Sequence, residues 1–146
     1  MKIEYHNLYT HFIFTTLHRQ LLIQEIDRPR IEKYITGIVN NNNSKLFSIY
    51  ANPEHVHFLV SRSPGISEEL LAAMVAESSQ KFINENGLCS TRFSWQETAS
   101  AFSVSKSDVD SVCKYILNQK EHHKKVTFEA EYRKFLEYYE QTLGKK

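Results

Sequence analysis

The sequence predicts an α+β fold of the ferredoxin-like, split βαβ kind: an antiparallel sheet with helices on one face, plus helices at the C-terminus. Three observations predict it. Segments rich in β-branched and aromatic residues alternate with segments whose apolar residues recur at helical spacing, in the order strand, helix, strand, strand, helix, strand, helices. The turn Asn52-Pro53-Glu54 separates the second strand from the third and makes them a hairpin. Finally, 146 residues with 41% hydrophobic and 12% aromatic content suit one ordinary domain, spanning 1–146, with a buried core.

Each element has its own signal. From Tyr5 to Thr16 the chain is aromatic and β-branched, with Leu8, Phe12 and Phe14 two or four apart, which reads as a strand. Asp27 is placed to cap a helix over Pro29–Asn40, with proline at an early position and Ile31, Tyr34, Ile35 and Ile38 as its apolar stripe. Leu46–Ala51 and His55–Ser61 are the hairpin strands. Ser67, followed by Glu68 and Glu69, opens a helix to about Asn84, burying Leu70, Leu71, Met74, Val75 and Phe82; Asn86-Gly87 ends it. A short strand over Ala99–Val104 precedes a helix capped by Ser107-Asp108 and running from Val109 to His122. An acidic, aromatic helix over Phe128–Leu143 follows.

Composition excludes several classes. The net charge is +1, so no global field advertises a nucleic-acid partner and any basic surface must be local. Cys89 and Cys113 lack ligand-like spacing, which favours a reduced, cytoplasmic protein. No apolar run approaches the roughly 20 residues that span a bilayer, so no membrane partner is expected.

Three local patterns carry chemistry. In His55-Val56-His57, residues two apart on a strand share a face, so both imidazoles project together and offer half a metal site. With seven histidines in the chain, one such pair can also be chance. Glu54 beside it reads as a ligand, a partner of a ligand or a solvated turn residue. Tyr115 and Gln119 lie four apart on one helix face, a phenol beside an amide oxygen; taken alone, a core-edge tyrosine with a solvated glutamine is the better reading. Lys114 and the run Lys120-Glu121-His122-His123-Lys124-Lys125 form a local positive patch, either a solvated face or a surface for phosphates, and on a continuous helix His122 and His123 cannot both reach one metal.

Taken jointly, these patterns resemble the single-tyrosine transposases of small bacterial insertion sequences, within the HUH (histidine, hydrophobic, histidine) endonuclease superfamily. The landmarks are Tyr9–Thr16, Asn52–Val60, Phe93-Ser94-Trp95-Gln96, Ala101–Ser105 and Tyr115-Ile116-Leu117-Asn118-Gln119, which cover nearly the whole chain. The resemblance implies that His55, His57 and Gln119 hold a divalent metal, Mg²⁺ or Mn²⁺, and that Tyr115 is the nucleophile. It implies cleavage and rejoining of single-stranded or hairpin DNA through a 5′-phosphotyrosine. It also implies a homodimer whose active sites combine one subunit's histidines with the other's tyrosine. Lys114, Lys120, His122, Lys124 and Lys125 are the candidate DNA contacts. Glu54 departs from the aspartate of many relatives. Two other readings are a hairpin-binding protein derived from such a transposase without catalysis, and an unrelated metal-dependent hydrolase, for which no further His/Asp cluster is evident.

Overall fold

The computed structural model describes residues 1–143. Four strands, β1 (Tyr9–Thr15), β2 (Lys45–Ala51), β3 (His55–Ser61) and β4 (Ser100–Val104), form one antiparallel sheet in the order β2-β3-β1-β4. Helices α1 (Arg28–Asn41) and α2 (Glu68–Glu85) cross between strands, and α3 (Val109–Leu117), α4 (Gln119–His122) and α5 (Phe128–Leu143) follow β4. This is the predicted ferredoxin-like order, with the two central strands β1 and β3 hydrogen-bonded along their whole length.

Strand alternation divides the molecule. Thr10, Phe12 and Phe14 of β1 and Val56, Phe58 and Val60 of β3 point one way, and all but Thr10 join the main core with Ile31, Ile35 and Val39 of α1 and Leu71, Val75 and Ile83 of α2. His55, His57 and Leu59 point the other way, where Leu59 packs with Tyr50 of β2 and Ile116 of α3. The C-terminal helices thus cover the face that the crossover helices leave free. Because β3 is buried on both faces, its histidines sit in the interior by register alone.

Element boundaries depart from the sequence expectations for physical reasons. β1 starts at Tyr9: residues 1–7 are exposed, and half-buried Leu8 contributes one bond, its carbonyl accepting from Arg62 N at 2.9 Å just beyond β3. Asp27 occupies the position before α1 but its side chain makes no capping bond, its backbone being already helical; the Arg28–Glu32 pair at 2.9 Å tightens that turn instead. Ser67 does cap α2, its hydroxyl accepting from Leu70 N at 3.1 Å. The buried stripe of α2 is Leu71, Val75, Ser79 and Ile83, whereas Leu70 is 53% exposed, one position off the stripe. Gly87, at φ +61°, closes α2 by letting Leu88 N reach Ile83 O at 3.1 Å. The expected helix Val109–His122 breaks at Asn118, giving α3 and the short α4.

Candidate active site

Three layers build the site. The floor is the sheet: His55 and His57, each 0% exposed, and His11 on the neighbouring strand. One wall is the α3–α4 junction, which carries Tyr115, Gln119, His122 and His123. The roof is α5, whose Phe128, Glu131, Tyr132 and Phe135 face inward at helical spacing. Phe128 stacks on the His55 ring at 3.8 Å between centroids, and Phe135 lies over Phe102 of β4 at 5.7 Å.

Each histidine of the pair is held by one ring nitrogen and presents the other. His55 Nδ1 lies 2.5 Å from Glu54 Oε1. His57 Nδ1 lies 2.9 Å from His11 Nε2. Both remaining Nε2 atoms turn toward Glu131 Oε1, at 3.6 Å from His55 and 3.0 Å from His57. Glu54 thus fixes the orientation of the His55 ring from the side away from Glu131. The same bond keeps the Glu54 carboxyl below its ordinary range, against the effect of burial. His57 is shifted down to about 4, chiefly by burial, although its bond to Glu131 pulls upward. His11 is shifted down to about 3 by burial and the neighbouring His57. Both rings are neutral at physiological pH, as metal ligation and its supporting bonds require.

Glu131 is the hub of the cluster. Its Oε2 accepts the hydroxyl of Tyr115, and Gln119 Nε2 reaches it at 3.5 Å. His122 Nε2 stands 2.9 Å from the same oxygen, too poorly aligned for a hydrogen bond, and His123 Nε2 stands 3.6 Å away. Burial would raise the Glu131 carboxyl, but bonds from His123, His55 and His57 outweigh it and hold the group ionised well below the usual range. Tyr115 is driven up from its ordinary value by burial and then by its bond to the Glu131 carboxylate. His123 is raised: burial lowers it, and Glu131 more than compensates.

The structure brings together most of the expected residues. Tyr115 stands 5.7 Å from His57 between ring centroids. Gln119 is buried, with its Oε1 accepting from Asn52 Nδ2 at 3.3 Å and from His123 Nε2 at 2.8 Å. Lys114, Lys120, Lys124 and Lys125 are exposed, and Lys124 pairs with Glu121 at 3.0 Å. His122 approaches Glu131 and lines the cavity beside Tyr115. One expectation is corrected. Both His122 and His123 approach one carboxylate oxygen, because α4 ends at His122 and His123 lies beyond the helix. The resemblance implied a tyrosine delivered by a partner subunit; in the single chain described, Tyr115 lies 5.7 Å from its own chain's His57 and Ile116 packs on Leu59.

Glu131 was not singled out from sequence, and His11, Asn52 and His123 were given no site role there, standing only in the opening strand, the hairpin turn and the basic run. Glu131 had a readable signal: one acid on the inward stripe Phe128, Tyr132, Phe135 of an otherwise aromatic face. Among the described residues, His55, His57, His123 and Glu131 each offer one ligand atom, all within 4.8 Å of one another. Nitrogen and oxygen donors converging on one point, with their far sides already bonded, fit a divalent cation. A cavity of about 650 Å³ opens beside Tyr115, lined by His11, Ser103, Ser105, Ser111, Lys134 and Phe135. Among the described residues, no helix is long and apolar enough to cross a membrane.

Comparison with known proteins bears on the fold and the family. No curated protein matches the chain in sequence. Among solved structures, a transposase from Deinococcus radiodurans R1 is similar with a TM-score of 0.55 and 21% identity, covering 82% of this chain and 98% of that one. A REP-associated tyrosine transposase bound to a REP hairpin is similar with a TM-score of 0.58 and 15% identity, covering 85% of this chain and 76% of that one. At such identities the likeness establishes the shared fold. The family described as "Transposase IS200 like" matches residues 4–119, from the segment before β1 to Gln119, and this chain belongs to that family.

Proposed function

We propose that this transposase cuts and rejoins single-stranded DNA with Tyr115 as nucleophile and a divalent metal, Mg²⁺ or Mn²⁺, held by His55, His57 and Gln119. The observation that carries this reading is convergence: the Tyr115 hydroxyl and the Nε2 atoms of His55 and His57 meet across a single carboxylate, with Asn52 Nδ2 also on His55 Nε2 at 3.2 Å. A cation there would neutralise charge on a non-bridging oxygen of the scissile phosphate. The chain's own residues do the rest. Glu54 and His11 fix the imidazoles, and Gln119 lies one helical turn beyond Tyr115 with its amide donating to Tyr115 O at 3.3 Å.

In the reaction the Tyr115 hydroxyl gives up its proton as its oxygen bonds to phosphorus in line with the departing 3′-oxygen. The phosphorus–O3′ bond breaks and the 3′-oxygen takes a proton, so that none is gained or lost overall; the 5′-phosphate stays on tyrosine. Attack by a later 3′-hydroxyl reverses these bonds and reseals a strand, which water-driven hydrolysis would forfeit. The cavity beside Tyr115 has room for the nucleotide flanking the cut, and Phe135 and His11 give it flat surfaces. By analogy with the hairpin-bound relative, the substrate is a hairpin end, with Lys114, Lys120, Lys124 and Lys125 around the phosphates. A homodimer in this reading pairs two whole sites.

One observation favours a second reading, a hairpin-binding protein without catalysis: α5 roofs the site and places Glu131 where a phosphate would approach. A denaturing gel of labelled single-stranded DNA with the protein and Mn²⁺ decides. A covalent adduct absent from Tyr115→Phe supports the transposase chemistry; hairpin binding with no adduct supports the second reading.

A further inference from the structure

The metal set implied by the resemblance is wholly neutral: two imidazoles and an amide. Such a set leaves a divalent cation uncompensated under the roof of α5, and imidazole is a soft partner for Mg²⁺ or Mn²⁺. Glu131 meets both needs. It is the one carboxylate in the ligand cluster among the described residues, is 4% exposed, and aims a single oxygen at both histidines. Glu54 cannot serve in its place, since it meets His55 at the opposite ring nitrogen.

The distances argue for coordination. In an octahedral site with ligands at about 2.1 Å, neighbouring donor atoms lie about 3.0 Å apart. His57 Nε2 and Glu131 Oε1 are separated by 3.0 Å, and His55 Nε2 and the same oxygen by 3.6 Å. An ion seated among these three atoms needs only small side-chain adjustments. The second oxygen, Oε2, stays with the Tyr115 hydroxyl.

We propose that Glu131, on α5 beyond the matched family segment, is the anionic ligand of the divalent metal and binds it through Oε1 together with His55 and His57. The proposal rests on the metal-dependent reading above. It assigns α5 a part in the site rather than a covering role alone, and it gives this chain a harder, charge-compensated donor set.

The test is Mn²⁺ affinity of the full chain without DNA, measured by calorimetry for the native protein, Glu131→Gln, Glu131→Ala and the His55→Ala/His57→Ala double variant. Glu131→Gln keeps the shape and removes the charge. It should raise the Kd at least about tenfold, with Glu131→Ala at least as severe. Unchanged Kd in both folded Glu131 variants, with binding lost in the histidine variant, overturns the proposal while leaving the histidine site intact. A lower Kd overturns it too, showing a carboxylate that competes with the ion. No Mn²⁺ binding by the native chain overturns this proposal and the metal-dependent reading together. If the variants unfold, anomalous diffraction from Mn²⁺-soaked crystals of the native chain decides: the ion within about 2.4 Å of a Glu131 oxygen supports ligation, and an ion bonded elsewhere overturns it.

Discussion

His11 and His57 meet diagonally across β1 and β3, Nε2 to Nδ1 at 2.9 Å, although the strand register sets His11 opposite Leu59 and His57 opposite Ile13. Both rings are buried and neutral. Their ordinary value of 6.5 falls to about 3 for His11 and about 4 for His57, in each case mainly through burial.

The pH dependence of the metal-free fold follows. Below pH 6.5 the unfolded chain gains protons at these two positions while the folded chain does not, so stability is full above 6.5 and falls as the medium is acidified. Glu131, depressed by its histidine partners, adds to the loss in more acidic medium; His123, raised by Glu131, works in the opposite direction. Urea midpoints at pH 7 and pH 5 should therefore differ. His11→Phe should shrink the difference by up to about 2 kcal/mol, from 1.36 kcal/mol per unit. An unaltered difference would mean that His11 is already charged in the fold.

Metal binding should depend on His55 and His57. Removing both deletes two ligands that their Glu54 and His11 partners hold in place. Calorimetry with Mn²⁺ should show no saturable binding by His55→Ala/His57→Ala. Gln119→Ala should weaken binding less, because water replaces a neutral oxygen ligand. Full affinity in the double variant would move the metal elsewhere.

How much of this was legible in the sequence depends on the range of each contact. The pairs that follow one element's period, His55 with His57 and Tyr115 with Gln119, were readable from spacing, and the strand order was readable from alternation and turns. Contacts made when distant segments close over each other were not. His57 and Glu131 are 74 residues apart and meet because α5 folds back over the sheet. The helix break at Asn118 was equally hidden: the apolar period runs on through Ile116 and Leu117, yet Leu117 is 62% exposed and Gln119 buried, since the chain turns so that Gln119 reaches Asn52 and His123. Phe93 and Trp95, noted only as landmarks, are core residues, Trp95 donating to Ser79 at 3.0 Å.

Tyr115→Phe should fold and bind hairpin DNA but form no covalent adduct. The change deletes one hydroxyl from a half-buried ring. Glu131 loses one partner and keeps His57 and Gln119, so the stability cost should stay near 1 kcal/mol. Adduct persisting on a denaturing gel would assign the nucleophile to another tyrosine.

DNA affinity should depend on salt through the exposed lysines of 114–125. Lys114, Lys120 and Lys125 are exposed, and no carboxylate is paired with them among the described residues, whereas Lys124 is tied to Glu121. Replacing the three by alanine should flatten the slope of log affinity against log salt by about 2, at roughly 0.7 per phosphate on a single strand. Lys124→Ala alone should change the slope less than any one of them. An unchanged slope in the triple variant would place the DNA on another face.

The last prediction concerns whose tyrosine serves which site. In this chain Tyr115 hydrogen-bonds to Glu131, which lies against the same chain's His55 and His57. Ile116 anchors the tyrosine helix on Leu59 of the same sheet, so leaving would expose buried apolar surface. Consider a mixed dimer of a His55→Ala/His57→Ala chain with a Tyr115→Phe chain. When each site is built within one chain, one site lacks its histidines and the other its tyrosine, and neither forms an adduct. When sites are shared, one of the two combines intact histidines with an intact tyrosine and cuts. The geometry predicts silence. Co-expression with two tags isolates the mixed dimer, and DNA binding and a native melting curve establish that it is assembled. Adduct on the histidine-deficient chain would show instead that α3 crosses to the partner during the reaction. The Ile116–Leu59 contact would then be the one that must break, and Ile116→Ala should speed that crossing and raise the adduct yield.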